Sequence, residues 1–364
     1  MMVEPAQSSG AGSLGLVTSA AGRAAVRIGL TAVAPVVLAL VLSGAVLSQM
    51  GTDPLEYYGY VVQRAFMTPS GFQATVTRMA PLLLLGAGLI LAFRAGLWNL
   101  GLDGQFMLGA TAAAALAPPL AQVWPIPLVL AASMVAAMAA AALWSLLPAL
   151  LKAYHGVNEI ITTLMMSFLG LSVSNALVKL AFLDPTTTVP QTRTLAVADR
   201  LPPLSGTTVS SGVLIGLVAI VAVHLVMTRT SFGLRLRVVG ANPRAAIHVG
   251  LRVPLLTVMV FAASAALVGL AGAVEILGVH GNVRADWNPA FGLAVIPLVF
   301  LARLNGLATI VYVLFFSALQ IGAESAARRL GVPHYFSLVL VANLLIVLAL
   351  VEHLSQRWRL DTRS

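Results

Sequence analysis

Residues 104–151 read GQFMLGATAAAALAPPLAQVWPIPLVLAASMVAAMAAAALWSLLPALL and carry no charged side chain. The stretch is too long for one transmembrane helix, which needs about 20 apolar residues. Pro118, Pro119 and the segment Trp124-Pro125-Ile126-Pro127 interrupt it with residues that end helices and favour turns. The stretch therefore predicts two membrane-spanning helices joined by a tight turn, with Trp124 at the membrane interface.

The composition of the whole chain agrees with this prediction. Of 364 residues, 59% are hydrophobic and only 9% are charged, whereas soluble domains carry about 25% charged residues. A soluble fold cannot cover its surface with so few charges, but a helix bundle in a bilayer exposes apolar side chains to lipid. We therefore predict an all-α integral membrane protein, a polytopic bundle of about ten transmembrane helices.

Apolar runs in the rest of the chain place the other spans. The first is the uncharged run 28–50, which follows Arg23 and Arg27 and is typical of an anchor that starts in the cytoplasm. Ten spans put both termini on one side, and the excess of Arg on the loops of that side predicts that both termini are cytoplasmic. The other predicted spans are residues 77–94, 99–117, 127–151, 158–181, 209–228, 254–277, 290–302, 306–324 and 336–352.

This topology divides the chain into a membrane domain and two tails. Residues 1–27 are predicted to form a disordered cytoplasmic tail, residues 28–352 the transmembrane domain, and residues 353–364 a cytoplasmic C-terminal tail. Within the membrane domain, residues 182–208 are predicted to form the largest external loop. Residues 229–253 are predicted to form the largest cytoplasmic loop, which is rich in Arg and contains no acidic residue.

The residue types that the chain lacks exclude several functions. Without Cys it has no disulfide and no thiolate metal site. Neither of its two lysines, Lys152 and Lys179, follows a Gly, so the chain has no phosphate-binding Walker loop for ATP. The six His show no metal-ligand spacing, and we expect no bound cofactor or metal. The net charge of +9 fits basic cytoplasmic loops better than nucleic-acid binding.

The first candidate site is the polar break between two apolar runs at residues 93–106. Broken helices of this kind often build transport sites, because their polar groups need protein or water as partners. The other interpretation is a cytoplasmic loop between two spans. The candidate pathway residues of this break are Trp98, Asn99, Asp103 and Gln105.

A second candidate lies at the start of the predicted helix 158–181. Asn158 can cap this helix and Glu159 suits its N-terminal dipole, which is a structural explanation for both. Thr162 and Asn175 belong to a helix so rich in hydroxyl and amide groups that it should face other helices or a pore. All four are candidate pathway residues.

Glu275 and His280 form the third candidate site. Glu275 follows an uncharged run that begins at Pro254, and an acid at this depth is a functional hypothesis by default. The alternatives are a structural pair, for example with an Arg of a neighbouring helix, and proton coupling through His280.

The cytoplasmic loop 229–253 is the fourth candidate. Asn242-Pro243 predicts the start of a short helix, and Gly250 predicts its end. A short helix across the cytoplasmic face is an element that a partner protein can push. The alternative is a basic loop held by anionic lipid.

Three of these segments together resemble the permeases of the simple-sugar and nucleoside class of bacterial ABC importers. Residues 96–105, GLWNLGLDGQ, are similar to the family's Gly-Leu-Phe-Asn-Ile-Gly-x-Glu-Gly-Gln segment. Residues 156–165, GVNEIITTLM, are similar to its Gly-x-Asn-Glu-Val-Ile-x-Thr-x-Met, and residues 240–246, GANPRAA, to its cytoplasmic coupling segment. Trp98 replaces the usual Phe, and Asp103 replaces the usual Glu with a shorter acid.

The run 275–281, EILGVHG, fits the purine-nucleoside branch of that class. The resemblance implies a transport subunit of the bacterial inner membrane, not an enzyme, which carries a nucleoside by alternating access. The implied partners are ABC ATPase subunits that use ATP, a second permease in a heterodimer, and an extracytoplasmic substrate-binding protein. The residues implied to couple the ATPases to the membrane are Asn242, Pro243, Arg244, Ala245 and Gly250.

Other functions remain open at this point. A ribose-like sugar or another small polar solute would use much the same amide and hydroxyl groups as a nucleoside. A secondary transporter driven by protons through Glu275 and His280 is a further alternative. A membrane enzyme is disfavoured because no catalytic constellation is evident.

Overall fold

The structure, a computed structural model, describes residues 33–333 and, beyond them, residues 336, 338–340, 342, 343, 346, 347, 350 and 351. Over these residues the chain is helical with connecting loops, and its only β-type pairing consists of isolated bridges. The all-α prediction is therefore confirmed for the described part. The predicted tails 1–27 and 353–364 lie outside the described residues, as does part of the predicted span 336–352.

The chain forms two compact units. The described part of the smaller unit contains helix α1, Val33–Gln49, and the helical residues from 336 onwards, where the Asn343 amide donates to Ser43 Oγ at 2.9 Å. The larger unit, Tyr57–His334, contains every candidate site residue.

Between residues 54 and 330, eleven further α-helices follow α1, and three of them end in a wider π-helical turn. The π turns are Gln63–Met67 after α2, Leu177–Ala181 after α6 and Ile276–His280 after α10. The helices are α2 Pro54–Val62, α3 Pro69–Arg94, α4 Leu102–Leu120, α5 Ile126–His155, α6 Glu159–Ala176, α7 Gly212–Arg229, α8 Ser231–Ala241, α9 Pro243–His248, α10 Val253–Glu275, α11 Phe291–Leu301 and α12 Gly306–Leu330.

Six helices of the described chain are long and apolar enough to cross a membrane, namely α3, α5, α6, α7, α10 and α12. The helices α1 and α11 are apolar but shorter. The expectation of many spans is thereby confirmed. The number ten and the cytoplasmic position of the termini stay predictions.

Helix α3 forms the centre of the larger unit. In its most apolar stretch 78% of the residues are buried, against 22% in α6 and 28% in α5. It packs against α7, α10, α11 and α12. Gly88 allows the close approach of α10, because a Cβ there would lie 2.8 Å from the Ser264 carbonyl oxygen. The peripheral faces of α5 and α6 are left for lipid or partner helices.

Small residues also bring α10 against α4 and α5. A Cβ on Gly109 of α4 would lie 2.5 Å from the Cα of Gly269 in α10. A Cβ on Gly272 would collide with the Phe106 carbonyl oxygen of α4. Apolar lipid supplies no hydrophobic force between helices, so close backbone contact at such positions is what holds membrane helices together.

The sequence prediction differs from the structure most between residues 54 and 76. It left this region unassigned and started a span at residue 77, whereas α2 and its π turn occupy it and α3 begins at Pro69. The region mixes polar and apolar residues, so it contains no long uncharged apolar run of the kind by which the spans were placed. Its Arg64 makes local and distant contacts: Nη1 donates to Thr68 Oγ1 and Ser70 Oγ, both at 2.9 Å, and Nε donates to Ser325 Oγ of α12 at 3.4 Å.

A turn lies between the predicted spans 99–117 and 127–151, but Pro118 and Pro119 do not interrupt the helix as predicted; the short helix predicted at residues 290–302 is present. Helix α4 continues through Pro118 and Pro119 to Leu120, and α5 begins at Ile126. Helix α11 has 11 residues and contains Pro297; its length of about 16 Å is well short of a bilayer core.

We expect Gly272→Ala to destabilise the protein, because the added methyl overpacks the α4–α10 interface, at a cost of about 1–3 kcal/mol. Thermal unfolding in detergent measures this. The matched control is Gly59→Ala in α2, where nothing lies within 4 Å of a Cβ. Equal unfolding temperatures for the two variants would show that the interface tolerates a side chain.

Candidate functional site

The polar break between α3 and α4 is closed by a pair of buried amides. Asn99 Nδ2 donates to Gln105 Oε1, and Gln105 Nε2 donates back to Asn99 Oδ1, both at 3.0 Å. Asn99 Nδ2 also donates to Ser264 Oγ of α10 at 3.1 Å. Both amides are buried, at 0% and 1% exposure. The predicted pathway residues Asn99 and Gln105 therefore meet, and in this conformation they bind each other.

Hydroxyl groups of α6 bond the backbone of the same break. Thr163 Oγ1 accepts from Leu100 N at 3.1 Å, and Ser167 Oγ accepts from Gly104 N at 3.1 Å. Further along α6, Ser174 Oγ lies 2.6 Å from Thr111 Oγ1 of α4. The prediction that this polar helix faces its neighbours is confirmed for these hydroxyls.

Three predicted residues at the start of α6 make local contacts. The Asn158 side chain accepts from Ile160 N at 2.9 Å, which is the cap that the sequence predicted. Glu159 pairs with Lys152 of α5 at 2.8 Å. Thr162 Oγ1 donates to the Asn158 carbonyl oxygen at 3.2 Å. The structural explanation thus accounts for the first two, and a pathway role for all three stays a prediction.

Asp103 bonds the start of another helix. Its Oδ1 accepts from Gly292 N at 2.8 Å, in the first turn of α11. Orphan N–H groups at a helix start need such acceptors, and a carboxylate is favoured there. A Cβ on Gly292 would lie 2.7 Å from the same oxygen, so the contact requires glycine. The acid at this motif position therefore holds α11 to α4.

Trp98 lies at the opposite end of α11. Its ring is 5.0 Å from that of Phe93 and 5.7 Å from that of Phe300, and the side chain is 39% exposed. It is not part of the Asn99–Gln105 pair.

Asn175 contacts the segment that precedes α11, which is predicted to be external. Its Oδ1 accepts from Asp286 N at 3.0 Å, and Lys179 Nζ lies 3.1 Å from Asp286 Oδ2. Asp286 has a φ of +63°, a conformation that non-glycine residues rarely adopt. The two bonds from α6 hold this segment in place.

Glu275 and His280 meet at the predicted external end of α10. Glu275 Oε1 lies 3.2 Å from His280 Nε2, and Glu275 is 3% exposed while the imidazole is 42% exposed. Both border a cavity of about 260 Å³ between α3, α10 and α12. The other lining residues are Ser70, Ala74, Thr77, Arg78, Thr208, Val279 and Ile321.

Arg78 is a cavity residue that sequence reasoning missed. Its guanidinium pairs with Glu324 of α12 at 3.2 Å and lies 5.6 Å from the ring centre of Phe291. The predicted span 77–94 places Arg78 at its first turn, where a charge attracts no attention. The signal available in the sequence is that Arg78 lies inside a helix, in the third turn of α3. This signal can be recognised only when the start of α3 at Pro69 is known.

A group of aromatic rings lies next to His280, outside the residues that line the cavity. The Trp287 ring lies 5.0 Å from His280 and 6.1 Å from Phe106, whose ring meets Phe291 edge-on at 5.7 Å. Trp287 belongs to a loop that carried no motif, and so the sequence did not identify it.

The cavity combines hydrogen-bond donors and acceptors. Arg78 and His280 donate, and Glu275 accepts. The cavity volume is close to the lower limit of about 300 Å³ for small-molecule sites. Such a set suits a neutral solute with several hydroxyl or amide groups.

The predicted coupling helix is present as α9. The Asn242 side chain accepts from Arg244 N at 3.0 Å and Ala245 N at 3.1 Å, and Pro243 occupies the first turn. Gly250, with φ +82°, follows the helix end. Asn242, Pro243, Arg244 and Ala245 are exposed. The structure adds α8 before this helix, which the sequence prediction did not contain.

We expect Asn99→Leu to destabilise the protein by about 1–3 kcal/mol, because it leaves the buried Gln105 amide without its partner. The variant Asn99→Leu/Gln105→Leu should lose less than the two single variants together, with a coupling of about 0.5–3 kcal/mol. Denaturation of all four proteins in detergent measures this cycle. Additive losses would contradict the pairing.

Comparison with known proteins identifies the family. The model of the branched-chain amino acid transport system permease component matches residues 72–348. The chain is 32% identical to the glucose ABC transporter permease of Haloferax volcanii, over 88% of this chain and 86% of the relative. It is 28% identical to the guanosine ABC transporter permease of Bacillus subtilis, over 76% and 80%.

It is also 25% identical to the nucleoside ABC transporter permease of Lactococcus lactis, over 86% of this chain and 88% of that relative. The family match, residues 72–348, includes the break between α3 and α4, most of the cavity residues and α9. The six apolar helices suit a protein of the membrane. The chain therefore belongs to the branched-chain amino acid transport system permease family, as a multi-pass ABC transporter permease of the inner membrane.

Proposed function

We propose that this chain forms the translocation pathway of an ABC importer for a nucleoside. The observation that carries the proposal is the cavity bordered by Arg78, Glu275 and His280. Relatives that carry guanosine and nucleosides support this substrate class. The relative named for glucose supports the alternative, a sugar that uses the same groups.

The chemistry of the cavity favours a nucleoside for two reasons. A buried carboxylate such as Glu275 accepts from ribose hydroxyls in a bond about twice as strong as a neutral one. The Trp287 ring, next to His280, offers a face on which a base can stack, worth about 1–3 kcal/mol per base in nucleic-acid complexes. A monosaccharide has no base to stack on Trp287 and would use the hydroxyl bonds to Glu275.

The energy is proposed to come from separate ATPase subunits. The chain has no Walker lysine of its own, so ATP binds to partner chains. A substrate-binding protein outside and a second permease, in a heterodimer, complete the proposed importer. Helix α9 is the proposed contact with the ATPases, because its capped and exposed first turn carries Arg244 on the predicted cytoplasmic face.

Uptake measurements test the substrate. Cells with and without the gene are given labelled guanosine, ribose, glucose and leucine. We expect gene-dependent accumulation of guanosine. Gene-dependent uptake of glucose or ribose with unchanged guanosine uptake would replace the nucleoside with a sugar.

We expect Glu275→Gln to raise the KM of uptake about tenfold or more, because a charged acceptor facing the solute becomes neutral. The matched control is Glu56→Gln, an exposed acid of α2 that should leave uptake unchanged. Normal KM in Glu275→Gln would place the solute elsewhere in the bundle.

We expect Asn242→Ala to lower uptake while the ATPases continue to hydrolyse ATP. The change removes the cap of α9, at a cost of about 1 kcal/mol, and frays the proposed contact helix. Asn242→Ser keeps a side-chain acceptor and should retain most uptake. ATP hydrolysis and uptake measured in reconstituted vesicles compare the two. Full uptake in Asn242→Ala would argue against coupling through α9.

A proton-coupled secondary transporter is the second candidate, favoured only by the Glu275–His280 pair. Vesicles that contain this chain alone and a pH gradient distinguish the two functions. Uptake without any ATPase would support the second candidate, and uptake that requires ATPase and ATP would support the first.

A further inference from the structure

The contact between Glu275 and His280 depends on an unusual helix turn. The two residues are five positions apart, and in an α-helix such residues point about 140° apart around the axis. They meet because α10 continues as the π turn Ile276–His280. In π winding the backbone bonds residues five apart, as Gly281 N does with Ile276 O at 2.7 Å. If this turn unwinds or tightens, the pair separates.

Residues 195–201 of the predicted external loop hold this turn. Leu201 N donates to the Leu277 carbonyl oxygen at 2.9 Å, and Leu195 N donates to that of Gly281 at 2.9 Å. Carbonyl groups at a helix end lack intrahelical partners, and in a membrane protein each of them needs another donor. The external loop supplies these donors.

Arg200 makes the central contact between residues 195–201 and the π turn. Its Nη1 donates to the Val279 carbonyl oxygen at 2.7 Å, and its Nε donates to that of Leu195 at 3.2 Å. One planar guanidinium thus joins the π turn to the loop, a geometry that the single ammonium of lysine does not reproduce. The guanidinium also lies against Gly281, where a Cβ would collide with it.

We propose that Arg200 is a positioning residue of the solute site, which holds the π turn so that His280 faces Glu275. Arg200 is not among the residues that line the cavity, and it acts through Val279 and Gly281, the neighbours of His280. This inference rests on the proposed function, because the importance of the pair for transport comes from the role of the cavity.

A double-mutant cycle on uptake tests the inference. Arg200→Ala and His280→Ala should each raise the KM about tenfold, since each removes a hydrogen bond involving a charged group. The double variant should be no worse than His280→Ala, because Arg200 acts through that imidazole. Arg193→Ala, an exposed Arg of the same loop, should leave the KM unchanged. If the KM increases of the two single variants multiply in the double variant, or if Arg200→Ala has a normal KM, the inference is overturned.

A second measurement needs no solute. The chain has no cysteine, so Val279→Cys introduces a single thiol on the cavity wall, at a side chain that is 38% exposed. We expect Arg200→Ala, and also Arg200→Lys, to raise the labelling rate of this thiol by a hydrophilic maleimide several-fold. Arg193→Ala should not.

The two measurements separate the failure of the inference from the failure of the function. Altered labelling in a protein that carries none of the tested solutes would overturn the proposed function and leave the Arg200 contact supported. Unaltered labelling in a protein that carries guanosine would overturn the inference alone. Arg200→Lys keeps the charge and allows both measurements if Arg200→Ala does not fold.

Discussion

The reciprocal amide pair of Asn99 and Gln105 is the interaction on which the bundle depends. Asn99 and Gln105 are buried at the break between α3 and α4, so their polar groups need protein partners. The pair satisfies itself, reaches α10 through Ser264, and is joined by hydroxyls of α6 that bond the adjoining backbone. One polar break thereby brings four helices to a common point. Gly88 and Gly109 permit the close backbone contact that this requires.

The same requirement organises the predicted external end. Asp103 supplies an acceptor to the first turn of α11, and the loop around Arg200 supplies donors to the π turn after α10. The π turn places His280 at the cavity, and the first turn of α11 places the Phe291 ring 5.6 Å from the guanidinium of Arg78, which lines the cavity. In this protein, the contacts that give hydrogen-bond partners to the backbone at helix ends therefore also position residues of the candidate site.

Local signals predicted local features well. Asn158 and Asn242 were recognised as helix caps because a cap involves residues two or three positions apart in the chain. Helix starts outside the apolar runs were missed, as at Pro69. Polar residues near this start contact α12, as Arg64 does with Ser325, and no local sequence pattern contains such a contact. Arg78 and Trp287 were missed for the same reason. Their functional interest arises only from neighbours far away in the chain.

The sequence by itself determined the physical class of the protein. Its low charge requires a bilayer, and its three motifs indicate the permease family. Only the tertiary structure decided which polar groups meet. Asn99 reaches Ser264 across 165 positions, and Glu275 reaches His280 through π winding that an α-helical periodicity excludes. The reason is that hydrophobic periodicity reports which residues avoid water, whereas contacts between polar groups depend on how helices pack and where their backbones depart from regular winding.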